Sequence, residues 1–306
     1  MTVKTYSYKR IGTHEIHADV YTPEVVEGAP AVLWLHGGGL IFGSRKDLES
    51  PRVGHVQRYL ALGFVVVAVD YRLAPETKLD VIVEDVKDAY RWVRDIGPQL
   101  FGIDAERIAI VGHSAGGYLA LTAGGAFSPR PAAVISFYGY ADITRPWYTL
   151  PSPHYSQEPP VPEEVAFAAV GSGSISDPPA ENARELFYLY CRQHGLWPTE
   201  VTGHDPSRDP EWFDRFCPIR NIDIDYPAVL LVHGDCDTDV PCDESVRMAE
   251  ALARKRVPHE LIVIPGGQHG FDELQHDDPN VIAAMDRATV FLKANLADSF
   301  AYGRNH

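Results

Sequence analysis

Four short segments carry the residues that could do chemistry: His36-Gly37-Gly38-Gly39, Gly112-His113-Ser114-Ala115-Gly116, Asp237 within HGDCDTDVP, and His269 within GGQHGF. A serine hydroxyl is a poor nucleophile at neutral pH. It needs a base to take its proton, a carboxylate to orient that base, and N–H donors for the oxyanion that forms. Ser114, His269, Asp237 and the glycine run supply these parts in turn, so the four segments read as an acyl-transfer site.

Each segment has a plainer reading to set against that one. A lone G-x-S-x-G is a weak signal, but Gly112-x-Ser114-x-Gly116 directly follows a β-type run and opens a helical one. A nucleophile on a tight strand–turn–helix bend sits in that context. The run at Gly37–Gly39 lacks the lysine and spacing of a phosphate loop and the G-x-G-x-x-G of a dinucleotide loop. It reads instead as an oxyanion hole, with donors from Gly38, Gly39 and Ala115, while Gly37 shapes the turn and His36 ties the loop. Asp235, Asp237 and Asp239 compete for the role of acid; Asp237 is chosen because it matches G-x-x-D-x-x-V-P. Asp142 is an outside candidate and reads better as a hinge residue. His269 lies in a glycine-rich loop beyond the final strand-like run, where a base can reach the serine. His14, His17, His55, His154, His194, His204 and His306 are read as surface residues. No HExxH and no His/Cys/Asp set with metal-ligand spacing occurs, so neither metal nor cofactor is expected.

The elements that must position these residues follow from periodicity. Residues 3–11 and 14–21 alternate as a hairpin turning at Gly12-Thr13, and 31–35 and 64–69 are short apolar runs of buried strands. Residues 50–62 read as a helix with Pro51 in its first turn, and 80–96 as an amphipathic helix stopped by Gly97-Pro98. Ile82, Val86, Ala89, Tyr90 and Val93 mark its apolar face. Strands at 107–111 and 132–138 bracket a helix at 115–123. After a long interruption come a strand at 228–232, a helix at 243–256 and a strand at 259–264. A closing helix at 280–296 has Ile282, Met285, Thr289, Leu292 and Leu296 on one face. Alternating β and α runs mean a mostly parallel sheet with helices on both faces.

The interruption, residues 140–226, is rich in proline and aromatics and holds several short helix candidates, the best at 180–194. It is too long for a loop and too broken for a βαβ unit. It is expected to be a cap inserted into a core formed by 1–139 and 227–306.

Composition narrows the partners. The 306 residues carry a formal net charge of −15, which disfavours nucleic acid and anionic membrane surfaces. No apolar run approaches the ~18 residues of a membrane span, and the N-terminus lacks the apolar stretch of a signal peptide. Cys191, Cys217, Cys236 and Cys242 show no paired spacing, so free thiols in a reducing, cytoplasmic setting are expected.

At these residues the chain resembles the hormone-sensitive-lipase-like carboxylesterases, the fold-3 group of the α/β-hydrolases. HGGGL, GHSAGG, HGDCDTDVP and HGF carry the likeness, together with Asp70-Tyr71-Arg72-Leu73-Ala74-Pro75-Glu76, a DYRLAPE segment. The resemblance implies an α/β-hydrolase fold with a mostly parallel eight-stranded sheet, helices on both faces and an inserted cap. It also implies Ser114 as nucleophile, Asp237 as orienter, His269 as base and Gly38, Gly39 and Ala115 as oxyanion hole. Leu40, His113, Trp147, Tyr148 and Phe271 are expected to touch the substrate. The chain departs from the family in its short N-terminal segment and in Thr77-Lys78-Leu79-Asp80 after the APE, which leaves 140–226 as the main substrate-shaping element. The expected function is hydrolysis of a small to medium apolar or aromatic ester or lactone through an acyl-enzyme, with no cofactor and with a homodimer left open. The alternatives are an arylformamidase-type amidase, acyl transfer or cyclisation in secondary metabolism, and a receptor-like binding protein.

Overall fold

The computed structural model describes residues 1–50, 54–179 and 184–297. Eight strands form one sheet: β1 (Thr2–Ile11), β2 (His14–Thr22), β3 (Ala29–Leu35), β4 (Val65–Val69), β5 (Ile103–His113), β6 (Ala133–Phe137), β7 (Ala228–Gly234) and β8 (His259–Ile264). Their order is β1-β2-β4-β3-β5-β6-β7-β8. The β1–β2 hairpin turns at Gly12, whose φ is +60°, and lies antiparallel against β4; all later neighbours run parallel.

The helices are α1 (His55–Ala61), α2 (Leu79–Phe101), α3 (Ala115–Ala126), α4 (Pro146–Thr149), α5 (Glu163–Ala166), α6 (Arg184–His194), α7 (Trp197–Thr202), α8 (Pro210–Asp214), α9 (Asp243–Lys255), α10 (Phe271–Leu274) and α11 (Pro279–Asn295). Side chains on a strand alternate between faces, and the sheet uses both. Ala31, Leu33 and Leu35 of β3 belong to the core layer that also holds the buried faces of α2, α3 and α9, while Val32 and Trp34 belong to the opposite layer with α1 and α11. The parallel strands deliver the HGGG turn, the serine turn, the Asp237 loop and the His269 loop to one edge, the C-terminal one, where open α/β sheets place their sites.

Several sequence expectations need correction. Helix α2 does not stop at Gly97-Pro98 but runs on to Phe101. Pro98 leaves only the Arg94 carbonyl without its helical donor, and the extra turn buries Phe101. Gly97 matters for packing: a Cβ there would lie 2.7 Å from Ile103 and Phe101 side-chain atoms. The stop is Gly102, at φ +72°. Strand β5 therefore begins at Ile103, paired with Ala29, and not at Arg107. On α11 the buried face is Val281, Ala284, Met285, Ala288, Phe291 and Leu292, while Ile282 is 40% exposed. The first helix starts at His55 and not at Ser50: Ser50 is not helical, and Gly54, at φ +63°, is the N-cap. Pro51, Ala180 and His306 lie outside the described residues.

Among the described residues, segment 140–226 adds no strand. It is fastened to the sheet domain through α6 and α7. Arg184 Nε donates to the Ile41 carbonyl at 2.6 Å and the same guanidinium pairs with Glu76. Trp197 Nε1 donates to the Gly39 carbonyl at 2.7 Å.

Candidate active site

Ser114 sits at the N-cap of α3 with φ +54°, a conformation that costs a non-glycine residue about 1–3 kcal/mol. Its neighbours explain the glycines of the motif. A Cβ on Gly112 would lie 2.0 Å from the Gly116 carbonyl oxygen, and one on Gly116 would lie 2.1 Å from that of Leu35. Only bare backbone lets β5 turn into α3 this tightly against β3. The Ser114 N–H donates to the Phe137 carbonyl at 2.9 Å, which locks the bend to β6.

Two loops meet the serine. After β8, His269 points Nε2 at Ser114 Oγ, 3.0 Å away, and Nδ1 at Asp237 Oδ2, 2.8 Å away. Asp237 is held in turn: its Oδ1 accepts the Asp239 N–H at 2.9 Å and the Val240 N–H at 2.8 Å, and His233 Nε2 lies 3.2 Å from Oδ2. Burial alone would raise the Asp237 carboxyl, but its bonds to His233 and His269 hold it far below the usual carboxylate range. For His269, burial pulls the imidazole down. The Asp237 bond and the charges of Asp239 and Asp237 outweigh that, so it stands above 6.5.

Of the rival aspartates, Asp235 accepts the Gly266 N–H and braces the histidine loop. Asp239 approaches His269 at Nε2, at 3.6 Å, not at the nitrogen an orienting acid must hold. Asp142 pairs with Arg220 and Thr144.

The HGGG turn lies beside this trio. Gly38 and Gly39 have φ of +90° and +60°, and the Gly38 carbonyl accepts the Ile41 and Phe42 N–H groups. Among the described residues no acceptor pairs with the Gly38 or Gly39 N–H. His36 stacks on Tyr71 with centroids 4.1 Å apart, and the Tyr71 hydroxyl donates to the His36 carbonyl at 2.8 Å. The DYRLAPE run is thus a brace: Asp70 binds Arg45, Tyr71 the HGGG turn, Arg72 pairs with Asp85 of α2, and Glu76 with Arg184.

A cavity of about 510 Å³ opens in front of Ser114. It is lined by Gly38, Gly39, Phe42, His269, Tyr155, Tyr188, Leu189, Glu158, Glu185 and Asp239. None of the five residues expected to bind substrate lines this cavity. Leu40 and Phe271 are fully buried, and Tyr148 is sandwiched between Trp147 and Trp197. His113 is buried, between the Trp34 indole and Asp272. The aromatic contribution of 140–226 comes from Tyr155 and Tyr188 instead.

A second polar cluster was not anticipated from the sequence. Asp272, in α10, accepts at Oδ1 from the Tyr138 hydroxyl at 2.7 Å, and its Oδ2 lies 3.0 Å from His55 Nε2 and 3.3 Å from His113 Nε2. His55, read as a surface residue, is 4% exposed: α1 turns it under the sheet edge. The three groups are close enough to hold a cation. Trp34 argues otherwise. Its indole N–H, a pure donor, lies 3.0 Å from His113 Nδ1, so that nitrogen is bare and the His113 proton sits on Nε2, donating to the cluster. Tyr138 also packs edge-on against His269, with centroids 4.8 Å apart. The only hints in sequence are that Asp272 follows HGF and that His113 precedes the serine.

A parallel sheet with this connectivity, a serine on a strained strand–helix turn and a histidine–aspartate pair from later loops define an α/β-hydrolase. The profile of the family described as alpha/beta hydrolase fold matches residues 32–273, and the chain belongs to that family, in its hormone-sensitive-lipase-like fold-3 group. Among individual proteins, the chain is 30% identical over 310 residues to the non-reducing polyketide synthase Preu6 of Preussia isomera, covering 90% of this chain but 14% of the synthase. A Staphylococcus aureus protein of unknown function has the same fold at TM-score 0.77 and 24% identity, over 96% of this chain and 99% of that one. A Pyrobaculum calidifontis esterase superposes at TM-score 0.68 with 25% identity, over 96% and 85%.

Proposed function

We propose that the protein is a serine hydrolase of carboxylic esters that works through an acyl-enzyme. The reading is carried by the unbroken line from Asp237 through His269 to Ser114, at 2.8 and 3.0 Å, opening on a cavity. In this mechanism His269 Nε2 takes the Ser114 proton as Oγ attacks the carbonyl. Gly38, Gly39 and Ala115 N–H groups receive the oxyanion, helped by the positive end of α3. His269 then protonates the leaving alcohol, and water repeats the sequence to free the acid. Segment 140–226 serves as a cap that walls the cavity with Tyr155 and Tyr188.

The likeness to a stretch of a polyketide synthase favours one second reading, acyl transfer or cyclisation in place of hydrolysis. One experiment addresses both. Wild type and Ser114→Ala are assayed on p-nitrophenyl esters from C2 to C12 and on an N-formyl anilide, with fluorophosphonate labelling followed by intact mass. Ester turnover and labelling that both depend on Ser114 support the hydrolase. Labelling with an acyl-enzyme that persists in water but is discharged by added alcohol or thiol favours acyl transfer. A folded protein with neither activity refutes the serine mechanism.

A further inference from the structure

One cavity group has no part in the mechanism above. Asp239 Oδ1 is fully engaged: it accepts from the Tyr188 hydroxyl at 2.8 Å and from Arg192 Nη1. Arg192 also donates to the Asp239 backbone carbonyl at 3.0 Å, and its guanidinium lies 4.9–5.7 Å from the ring centres of Trp147, Tyr148, Tyr155 and Tyr188. The carboxylate is therefore fixed in place from behind. Its other oxygen, Oδ2, lies 3.6 Å from His269 Nε2, the nitrogen that faces Ser114 Oγ. Two short steps thus separate a fixed acceptor from the nucleophile, and Asp239 lines the cavity.

The remaining walls have one chemical character. Glu158 and Glu185 are exposed at the rim, Tyr155 and Tyr188 line the wall, and among the described lining residues there is no lysine or arginine. Burial, and next the Asp239 charge, push the Tyr155 hydroxyl up, so it stays protonated. An alkyl chain laid over Oδ2 would strip water from a carboxylate and return nothing. A substrate carboxylate would meet Glu158, Glu185 and the Arg192-paired Asp239, with no cation among the described lining residues to receive it. A hydroxyl or ammonium would make a charge-assisted hydrogen bond there.

We propose that Asp239 is a specificity-determining acceptor, selecting esters that carry a hydrogen-bond donor, a hydroxyl or a protonated amine, within a few bonds of the reacting carbonyl. The proposal rests on the ester-hydrolase reading of the same site. It narrows the apolar substrate expected from sequence to one with a polar donor beside the scissile group.

The test compares ethyl butyrate, ethyl 3-hydroxybutyrate, ethyl 3-aminobutyrate and monoethyl succinate by pH-stat, with wild type, Ser114→Ala and Asp239→Asn. Wild type should favour at least one donor-bearing ester over ethyl butyrate by about tenfold or more in kcat/KM. Which of the two leads identifies the donor, and monoethyl succinate should be the poorest. Asn keeps an oxygen for Tyr188 and Arg192 but turns an NH₂ toward the cavity. The donor preference should then collapse and monoethyl succinate should gain relative to the others, a ratio that is insensitive to any general loss of activity.

Two outcomes overturn the proposal and leave the hydrolase reading intact: Ser114-dependent hydrolysis with ethyl butyrate equal to or ahead of both donor-bearing esters, or a wild-type ranking that survives in folded Asp239→Asn. Absence of Ser114-dependent hydrolysis and of fluorophosphonate labelling removes the hydrolase reading itself, and the proposal with it.

Discussion

Two carboxylates with buried side chains each gather two histidines. Asp237 has His269 and His233; Asp272 has His55 and His113. Both are held far below the usual carboxylate range: burial opposes this, and the histidine bonds outweigh it. They differ in where the second nitrogen of the imidazole goes. His269 turns Nε2 to a serine hydroxyl at the edge of a cavity, whereas His113 spends Nδ1 on the Trp34 indole. A carboxylate–imidazole pair becomes a catalyst only when the far nitrogen is left for a reacting group. Otherwise the same pair is a fastener.

Cutting each pair separates the two clusters most directly. His269→Gln should lower kcat on a p-nitrophenyl ester by roughly 10³-fold or more, with little change in melting temperature at a pH above the His269 titration. His113→Gln should do the reverse, losing stability while the activity per folded molecule falls far less. Thermal scans beside steady-state kinetics decide this, and equal kinetic losses would erase the distinction. Replacing the acids separates the two clusters further. Asp237→Asn should cost about 10²–10⁴ in kcat through misorientation of His269. Asp272→Asn leaves buried donors facing an amide and should cost about 3–5 kcal/mol in urea unfolding.

The two regions also titrate in opposite senses. His269 stands above 6.5, so kcat/KM should fall as pH drops through that raised value, because the base becomes protonated. Its contribution to stability is fully present below 6.5 and is lost as pH rises through the folded value. His55 is lowered, by burial first and despite its bond to Asp272. In the unfolded chain it takes up a proton that the fold resists, so its contribution to stability is lost as pH falls below 6.5. His269→Gln and His55→Gln should therefore bend the pH–stability curve in opposite directions between about pH 5 and 8. The smallest effect concerns α11, where Ile282→Ser at a half-exposed position should change stability by less than about 0.5 kcal/mol. Met285→Ala, one turn on and buried, should cost about 2–5 kcal/mol.

The sheet and the Ser114–His269–Asp237 line were legible because their signals are local. Short apolar runs end in glycine turns that only close backbone contact requires, and each candidate residue sits in its own turn. The second cluster was not, since His55, His113, Tyr138 and Asp272 come from four separate segments that only the folded sheet, with its strand order, brings together. Cavity-lining residues failed for a related reason. Aromatic content marked 140–226 as important, but which rings face inward depends on how α6 docks, and Trp147 and Tyr148 stack among themselves. The overrun of α2 past Gly97-Pro98 shows tertiary burial of Phe101 outweighing a local stop signal.

Helix α6 joins two anchor points eight positions apart, Arg184 at the Ile41 carbonyl and Arg192 at Asp239. At 1.5 Å per residue that is a rod of about 12 Å, laid between the glycine turn on one side of the serine and the acid loop on the other. One residue inserted or deleted between the arginines would swing the far anchor by about 100° and detach it. Length variation in this protein should therefore be tolerated in the proline-rich stretch before the rod and forbidden within it.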